Sequence, residues 1–131
     1  MRFSVLLALV TLATALPFDL SSIKSLFIRD LTSDTQNDLI DGTPCKEITV
    51  IFARGTDSPG NMGNSTGPPF VEAIGALVGV DNVAVQGVAY PATILEFLEG
   101  GDNAGAALMA NYTALAMTQC PDTQVVVSGY R

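Results

Sequence analysis

Three short apolar runs lie in the chain after residue 44, and each is rich in β-branched residues. They span Ile48–Ala53, Val83–Val88 and Gln124–Ser128. Nearly continuous apolar runs of this length are typical of strands buried on both faces of a parallel sheet, whereas a half-exposed strand alternates. The pattern therefore predicts three buried strands.

A helix is predicted between the first two strands. Pro68 and Pro69 open it, because the N–H groups of a helix's first turn have no intrahelical partner and proline loses little there. Its apolar face is predicted to consist of Phe70, Ile74, Leu77 and Val78.

A longer helix is predicted between the second and third strands. Asp102 can cap it, and it continues to about Thr118. Its apolar face contains Leu108, Tyr112 and Leu115. One helical turn around Ile94–Leu98 precedes it. Strands that alternate with helices predict an α/β fold with right-handed crossovers and a parallel sheet covered by helices on its faces.

The N-terminal segment reads as a secretory leader. In Met1–Ala15, Arg2 supplies a positive charge, an apolar run follows, and Ala13-Thr14-Ala15 offers small residues for cleavage. A membrane anchor is the alternative, but the run is shorter than the roughly 20 residues that span a bilayer. The chain is therefore expected to be secreted and extracellular, without stable insertion into a membrane.

Residues 16–43 are polar and irregular, so a pro-segment or a flexible N-terminal arm is expected there. A short helix within this segment could begin at Asp34 or Thr35 and run through Ile40, closed by Gly42. The folded domain is then expected to comprise residues 44–131.

The net charge and the cysteine content indicate which ligands and cross-links are expected. Without Met1–Ala15 the chain keeps five basic and 13 acidic residues, a net charge of −8. This balance argues against nucleic acid, whose phosphates require clustered Lys and Arg. The chain has two cysteines, and an even count in a secreted protein suggests a disulfide. There is no histidine and no Cys-x-x-Cys pair, so no zinc site is expected.

Candidate chemistry lies in the loop that follows the first strand. Gly55 and Thr56 could present a backbone N–H and a hydroxyl to one point, as an oxyanion hole requires. The alternative is a polar Gly/Pro surface loop. Arg54 and Asp57 could form a salt bridge in the same loop, and a structural or solvated pair is favoured over a catalytic one.

The end of the third strand resembles half of a nucleophile elbow. Gly129-Tyr130 would begin a Gly-x-Ser-x-Gly motif, but Arg131 occupies the serine position. A strand that simply ends is the alternative. Guanidinium has no lone pair with which to attack a carbonyl. Ser128 lies within the strand and is not expected to be a nucleophile.

These residues together carry a specific resemblance. The stretch from Cys45 to Gly129 resembles the first half of the fungal cutinase family. The order and the spacing of the matching stretches also agree with it. They are Val50–Thr56, Gly67–Phe70, Val83–Val88, Tyr90–Ala92, Thr118–Pro121 and Val126–Tyr130.

The resemblance implies a secreted serine esterase with a three-layer α/β/α sandwich of the α/β-hydrolase type, incomplete in this chain. It implies cutin polyester and small esters as substrates, no metal or cofactor, and an oxyanion hole at Thr56. Cys45 and Cys120 resemble the family's first disulfide, and Ala92–Asn103 resembles a flap beside the lipid-binding cleft. A monomer is expected.

One difference from the family determines whether this chain is expected to be active. The family continues Gly-Tyr-Ser-Gln-Gly, whereas this chain has Gly129-Tyr130-Arg131. The nucleophile, the acid and the histidine are missing, so a truncated chain that is inactive by itself is expected. The acid is not assigned to Asp102 or Asp122. The alternative function is a non-catalytic secreted protein that binds waxy or polyester surfaces.

Two Asn-x-Thr sequences are candidates for N-glycosylation. Asn64 lies in the loop before the first helix, and Asn111 lies within the second long helix. The loop site is the more favoured acceptor, while an unused three-residue match is the alternative at both positions.

Overall fold

The computed structural model describes residues 29–131. The predicted leader Met1–Ala15 and the first part of the predicted arm lie outside the described residues. The elements are β1 (Ile48–Ala53), α1 (Gly67–Val78), a 3-10 turn (Val80–Asn82), β2 (Val83–Gly87), α2 (Ile94–Leu98), α3 (Asn103–Gln119) and β3 (Gln124–Gly129).

The three strands form one parallel sheet in the order β2-β1-β3. Ile48 is opposite Val83 on one side and opposite Gln124 on the other. β1 is therefore the central strand of the described sheet, and its residues Thr49–Phe52 are buried. The predicted α/β fold with a parallel sheet is confirmed.

Alternate residues of β1 lie in two separate hydrophobic clusters. Val50 and Phe52 belong to the first cluster, where Val71 of α1 packs with β2. Ile51 belongs to the second, where Ala116 of α3 is buried. Because successive strand residues point to opposite faces, α1 and α3 cover opposite faces of the sheet. The layers are thus helix, sheet and helix.

The helices follow the predicted boundaries closely, with one error in the apolar face of α1. Phe70, Ile74 and Val78 pack against the first cluster, but Leu77 is 86% exposed. Val71 is fully buried instead, because it packs against residues of β1 and β2. Within residues 29–131, no helix combines the length and apolar character needed to cross a bilayer.

Cys45 and Cys120 form a disulfide with a Cα–Cα distance of 5.5 Å. It joins the segment that precedes β1 to the C-cap residue of α3. The cysteines are 75 residues apart, so in the chain-entropy view the bridge stabilises the fold by about 4 kcal/mol.

Residues 29–43, which belong to the segment expected to be a pro-segment or a flexible arm, pack against the sheet. Leu31 is 3% exposed in the first cluster, and Leu39 is buried in the second. Asn37 forms an antiparallel bridge with Gln86, so the segment covers the outer edge of β2. The predicted helix through Ile40 is wrong: turns replace it, because Gln36 O and Asp38 N bond to the backbone of β2.

Candidate functional site

The loop after β1 and the residues after β3 meet at the carboxyl end of the sheet. Ala53 and Gly129 are register partners, and Tyr130 N donates to Ala53 O at 2.9 Å. Further along both segments, Thr56 N donates to Arg131 O at 3.3 Å. The amide of Thr56 therefore points at the segment that directly follows β3.

Gly55 makes this approach possible. A Cβ atom at position 55 would lie 2.7 Å from Cδ1 of the Tyr130 ring and 2.8 Å from Arg131 O. Real Cβ contacts are not that short, so any side chain would push the two segments apart. The glycine is needed here for close packing of the backbone against its neighbour.

A cavity of about 140 Å³ opens at this point. Its volume is comparable to an apolar cavity that admits a benzene-sized group. It brings together the loop after β1, the connection from β2 to α3, and the end of β3. The lining residues are Thr56, Tyr90, Ala92, Thr93, Glu96, Phe97, Gly101, Asp102, Tyr130 and Arg131.

Arg54 holds the loop after β1 against the connection that follows β2. Its guanidinium donates from Nε to Ser58 O and from Nη1 to Tyr90 O, both at 2.7 Å. It also stacks 5.2 Å from the centre of the Tyr90 ring, whose hydroxyl donates back to Arg54 O. The proposed partner Asp57 is not used: within residues 29–131, Arg54 bonds to main-chain carbonyls.

Two non-glycine residues with positive φ lie where these segments touch. Asp57 has φ of 56° and Ala92 has φ of 52°. Their backbones are joined, since Asp57 N donates to Ala92 O at 2.8 Å. Such residues persist only where the surrounding structure fixes them. The loop that carries Thr56 is thus held in one conformation.

The carboxylates of Asp102 and Glu96 and the guanidinium of Arg131 line the cavity together with the Tyr90 phenol. Burial raises the pKa of Tyr90 above its usual range, the nearby Arg54 opposes this, and the carboxylates of Asp102 and Glu96 raise it further. The Tyr90 hydroxyl is therefore neutral at ordinary pH and acts as a hydrogen-bond donor.

Asp102 belongs to the cavity wall in addition to its predicted role as a helix cap. Its Oδ1 accepts from Ala104 N at 2.8 Å and Gly105 N at 3.0 Å, so it caps α3 as expected. The residue also lines the cavity. Sequence reasoning assigned it to the helix end alone.

The short helix α2 presents apolar side chains outward beside the cavity. Thr93 and Glu96 close its start with reciprocal hydrogen bonds, a capping box. Ile94, Leu95, Phe97 and Leu98 are each at least half exposed, with Leu98 at 74%. This helix falls within the stretch Ala92–Asn103 that was likened to a flap.

The structure gathers some of the predicted site residues and separates others. Thr56 lines the cavity, and its role in an oxyanion hole stays a prediction. Cys45 and Cys120 lie at the opposite end of β1 and β3, because they precede these strands. Asn64 and Asn111 are exposed and do not line the cavity. Ser128 lies within β3 and does not line it either.

Tyr90 and Glu96 were missed by sequence reasoning. Both belong to the connection after β2, and no role was assigned to either, although Glu96 lies in the stretch Ala92–Asn103 that was likened to a flap. The rule that parallel sheets place ligands beyond the carboxyl ends of their strands could have pointed to this connection.

Comparison with known proteins gives the same family at the level of sequence and of structure. A family model described as Cutinase matches residues 44–131. The cutinase of Botryotinia fuckeliana is 45% identical over 91 residues, covering 70% of this chain and 45% of that protein. Cutinase pbc1 of Pyrenopeziza brassicae is 45% identical over 101 residues, covering 77% of this chain and 46% of that protein.

A solved structure has a similar fold. Trichoderma reesei cutinase in complex with a C11Y4 phosphonate inhibitor superposes with a TM-score of 0.66 at 38% identity. The match covers 84% of this chain and 46% of that one. The chain thus spans slightly less than half the length of the relatives described above.

Proposed function

Because this chain belongs to the cutinase family, we propose that it supplies the oxyanion-hole part of a secreted hydrolase of carboxylic esters. Cutin polyester and small soluble esters are the proposed substrates. The observation that carries the proposal is the direction of the Thr56 amide, which donates toward the residue after Tyr130.

Thr56 is suited to stabilise negative charge at that point. An ester carbonyl attacked at the end of β3 would develop charge on its oxygen within reach of the Thr56 N–H and hydroxyl. Donors fixed beforehand lower the barrier because they need no reorganisation as the charge develops. The backbone contact between Asp57 and Ala92 and the guanidinium of Arg54 supply that fixed geometry.

We propose that the 131-residue polypeptide does not hydrolyse esters by itself. A serine attacks an ester carbonyl while a base removes its proton, and this base is normally histidine. The chain contains no histidine, and Arg131 follows Tyr130 where the family has serine. A guanidinium is protonated and cannot act in either role.

Two experiments test the two parts of this proposal separately. The purified chain is incubated with a short-chain p-nitrophenyl ester, and no turnover above a heat-denatured sample is expected. Turnover that a serine-directed phosphonate abolishes would disprove the proposed inactivity.

The role of Thr56 is tested in a chimera. Residues 29–130 of this chain replace the matching part of the Botryotinia cutinase, whose own second half supplies the remaining machinery. Hydrolysis is expected, and Thr56→Val should lower kcat about 100-fold or more with little change in KM. Ser58→Ala, a change in the same loop, is the control. A folded chimera in which Thr56→Val keeps full kcat would contradict the role assigned to the Thr56 hydroxyl.

The apolar surface of α2 favours a second function. Ile94, Leu95, Phe97 and Leu98 could bind a waxy or polyester surface without catalysis. A cooperative melt by circular dichroism, together with cosedimentation of the chain with polyester particles, would support this function. Phe97→Glu should then reduce binding, while Met117→Glu, at an exposed position on α3, should not.

A further inference from the structure

We propose that Asn64 is an N-glycosylation site of this protein and that Asn111 stays unmodified. The inference rests on the proposed secretion, because glycan transfer to Asn-x-Thr occurs in the secretory pathway. The Asn64 side-chain nitrogen would attack the anomeric carbon of an oligosaccharide linked to a lipid pyrophosphate. A C–N bond forms, the C–O bond to pyrophosphate breaks, and the amide nitrogen loses one proton as the lipid pyrophosphate leaves.

The surroundings of Asn64 favour access by a large enzyme. Asn64 and Ser65 are exposed and lie in a run of turns that connects β1 with α1. Gly63, just before them, has φ of +71°, a conformation that glycine adopts readily in turns. A glycan on Asn64 would project into solvent, because this residue is exposed. It would leave the cavity open, because Asn64 does not line it.

The threonine of the same sequence is free for recognition. Thr66 is the N-cap residue of α1, yet its side chain makes no capping hydrogen bond. Its hydroxyl contacts only the neighbouring Ser65 hydroxyl, at 3.5 Å, among the described residues. The acceptor amide is therefore on the surface, and the hydroxyl that defines the motif is not used to cap α1.

The motif at Asn111 differs, because its threonine hydroxyl is already hydrogen-bonded within a helix. Asn111 lies in the middle of α3, and the Thr113 hydroxyl donates to Met109 O at 2.8 Å. Tyr112, between them, packs in the second hydrophobic cluster. Presenting Asn111 and Thr113 together in an extended form requires α3 to unwind and Tyr112 to leave the core. Asn111 is exposed, but its motif is held in a helix.

The test is to secrete the full chain from yeast and digest it with peptide N-glycosidase, which converts a glycosylated asparagine into aspartate. Mass spectrometry of peptides should show this conversion at Asn64 and an unmodified Asn111. Asn64→Gln and Thr66→Ala should each remove the whole electrophoretic shift, while Ser65→Ala, which keeps the motif, should leave it. Asn111→Gln should have no effect.

The outcomes separate this inference from the proposed secretion. Protease protection in microsomes reports translocation independently of glycosylation. If the chain does not translocate, the proposed secretion is wrong, and a version with the host's leader in place of residues 1–15 decides the site. A translocated chain with no glycan at Asn64, or with a glycan at Asn111, would overturn the inference.

Discussion

Asp57 donates its backbone N–H to the carbonyl oxygen of Ala92 at 2.8 Å, and both residues have positive φ. Asp57 belongs to the loop that carries Thr56, and Ala92 belongs to the connection that leads to α2. Two unfavourable backbone conformations thus occur at one of the hydrogen bonds that join these segments. Each costs on the order of 1–2 kcal/mol, which the remaining contacts must offset.

Asp57→Gly is expected to leave the free energy of unfolding unchanged or to raise it by up to about 1 kcal/mol. Glycine adopts positive φ without a steric cost, and the exposed Asp57 side chain contributes little packing. Asp57→Val should lower the free energy of unfolding by about 1 kcal/mol or more. Urea denaturation followed by circular dichroism measures both effects.

The control for this change is Glu72→Gly, at an exposed position within α1. Glycine in a helix should lower the free energy of unfolding by about 1 kcal/mol. If Asp57→Gly destabilises the protein as much as Glu72→Gly does, the positive φ at position 57 is not a source of strain.

Gly55→Ala is expected to destabilise the protein by roughly 1–3 kcal/mol, because the new methyl group would overlap Tyr130 and Arg131. Thermal melting measures the loss. In a Tyr130→Ala background the ring is no longer there, so the same substitution should cost less. An equal cost in both backgrounds would mean that the Tyr130 ring does not limit the space beside Gly55.

Asn61 connects three parts of the chain, and its removal should be costly. Its side chain accepts from Gln36 N at 2.9 Å and donates to Asn37 Oδ1 at 2.8 Å and to Gly87 O at 3.4 Å. Asn61→Ala leaves buried polar groups without partners, so a loss of about 3 kcal/mol is expected.

Asn82→Ala is the matched control, because the exposed Asn82 side chain donates to Val78 O alone among the described residues. Its loss should stay below about 1 kcal/mol. Hydrogen exchange should also show faster opening of residues 34–38 in Asn61→Ala than in Asn82→Ala. Equal exchange in the two variants would argue against a connecting role for Asn61.

Stability is expected to fall at alkaline pH through Tyr90. Its pKa is raised in the folded protein, mainly by burial, so the fold favours the neutral phenol. The contribution is fully present below the unfolded pKa of about 10 and is lost as pH rises from there through the folded pKa.

Tyr90→Phe should weaken this decline in the free energy of unfolding above pH 10. Tyr130→Phe, at a position that is 45% exposed, should leave the decline in place. Chemical denaturation at a series of pH values distinguishes the two variants. A decline that is the same in both would exclude Tyr90 as its cause.

The strands and long helices could be predicted because their signals are local. A β-branched run such as Ile48–Ala53 and a cap such as Asp102 indicate their structure without knowledge of distant residues. The error at Leu77 has a different origin: periodicity defines a face of a helix, but the exact orientation of α1 follows from how Val71 packs on β1 and β2.

The segment before β1 and much of the cavity could not be predicted, since they depend on contacts between distant residues. Residues 36–38 look like part of a polar tail, but their backbone groups find partners on the outer edge of β2 and on Asn61. In the same way, Thr56 could be identified from its loop, whereas Tyr90 is placed beside it by Arg54.

The covalent bond between Cys45 and Cys120 fastens β1 and α3 just before β1 and β3 begin. Beyond the far ends of these strands, the segments around the cavity are joined by non-covalent contacts, such as the hydrogen bonds from Thr56 and Arg54. Local unfolding should therefore start at the cavity end of the sheet and progress toward the disulfide. Moderate heating would loosen the end of the molecule that contains the cavity well before the sheet itself separates.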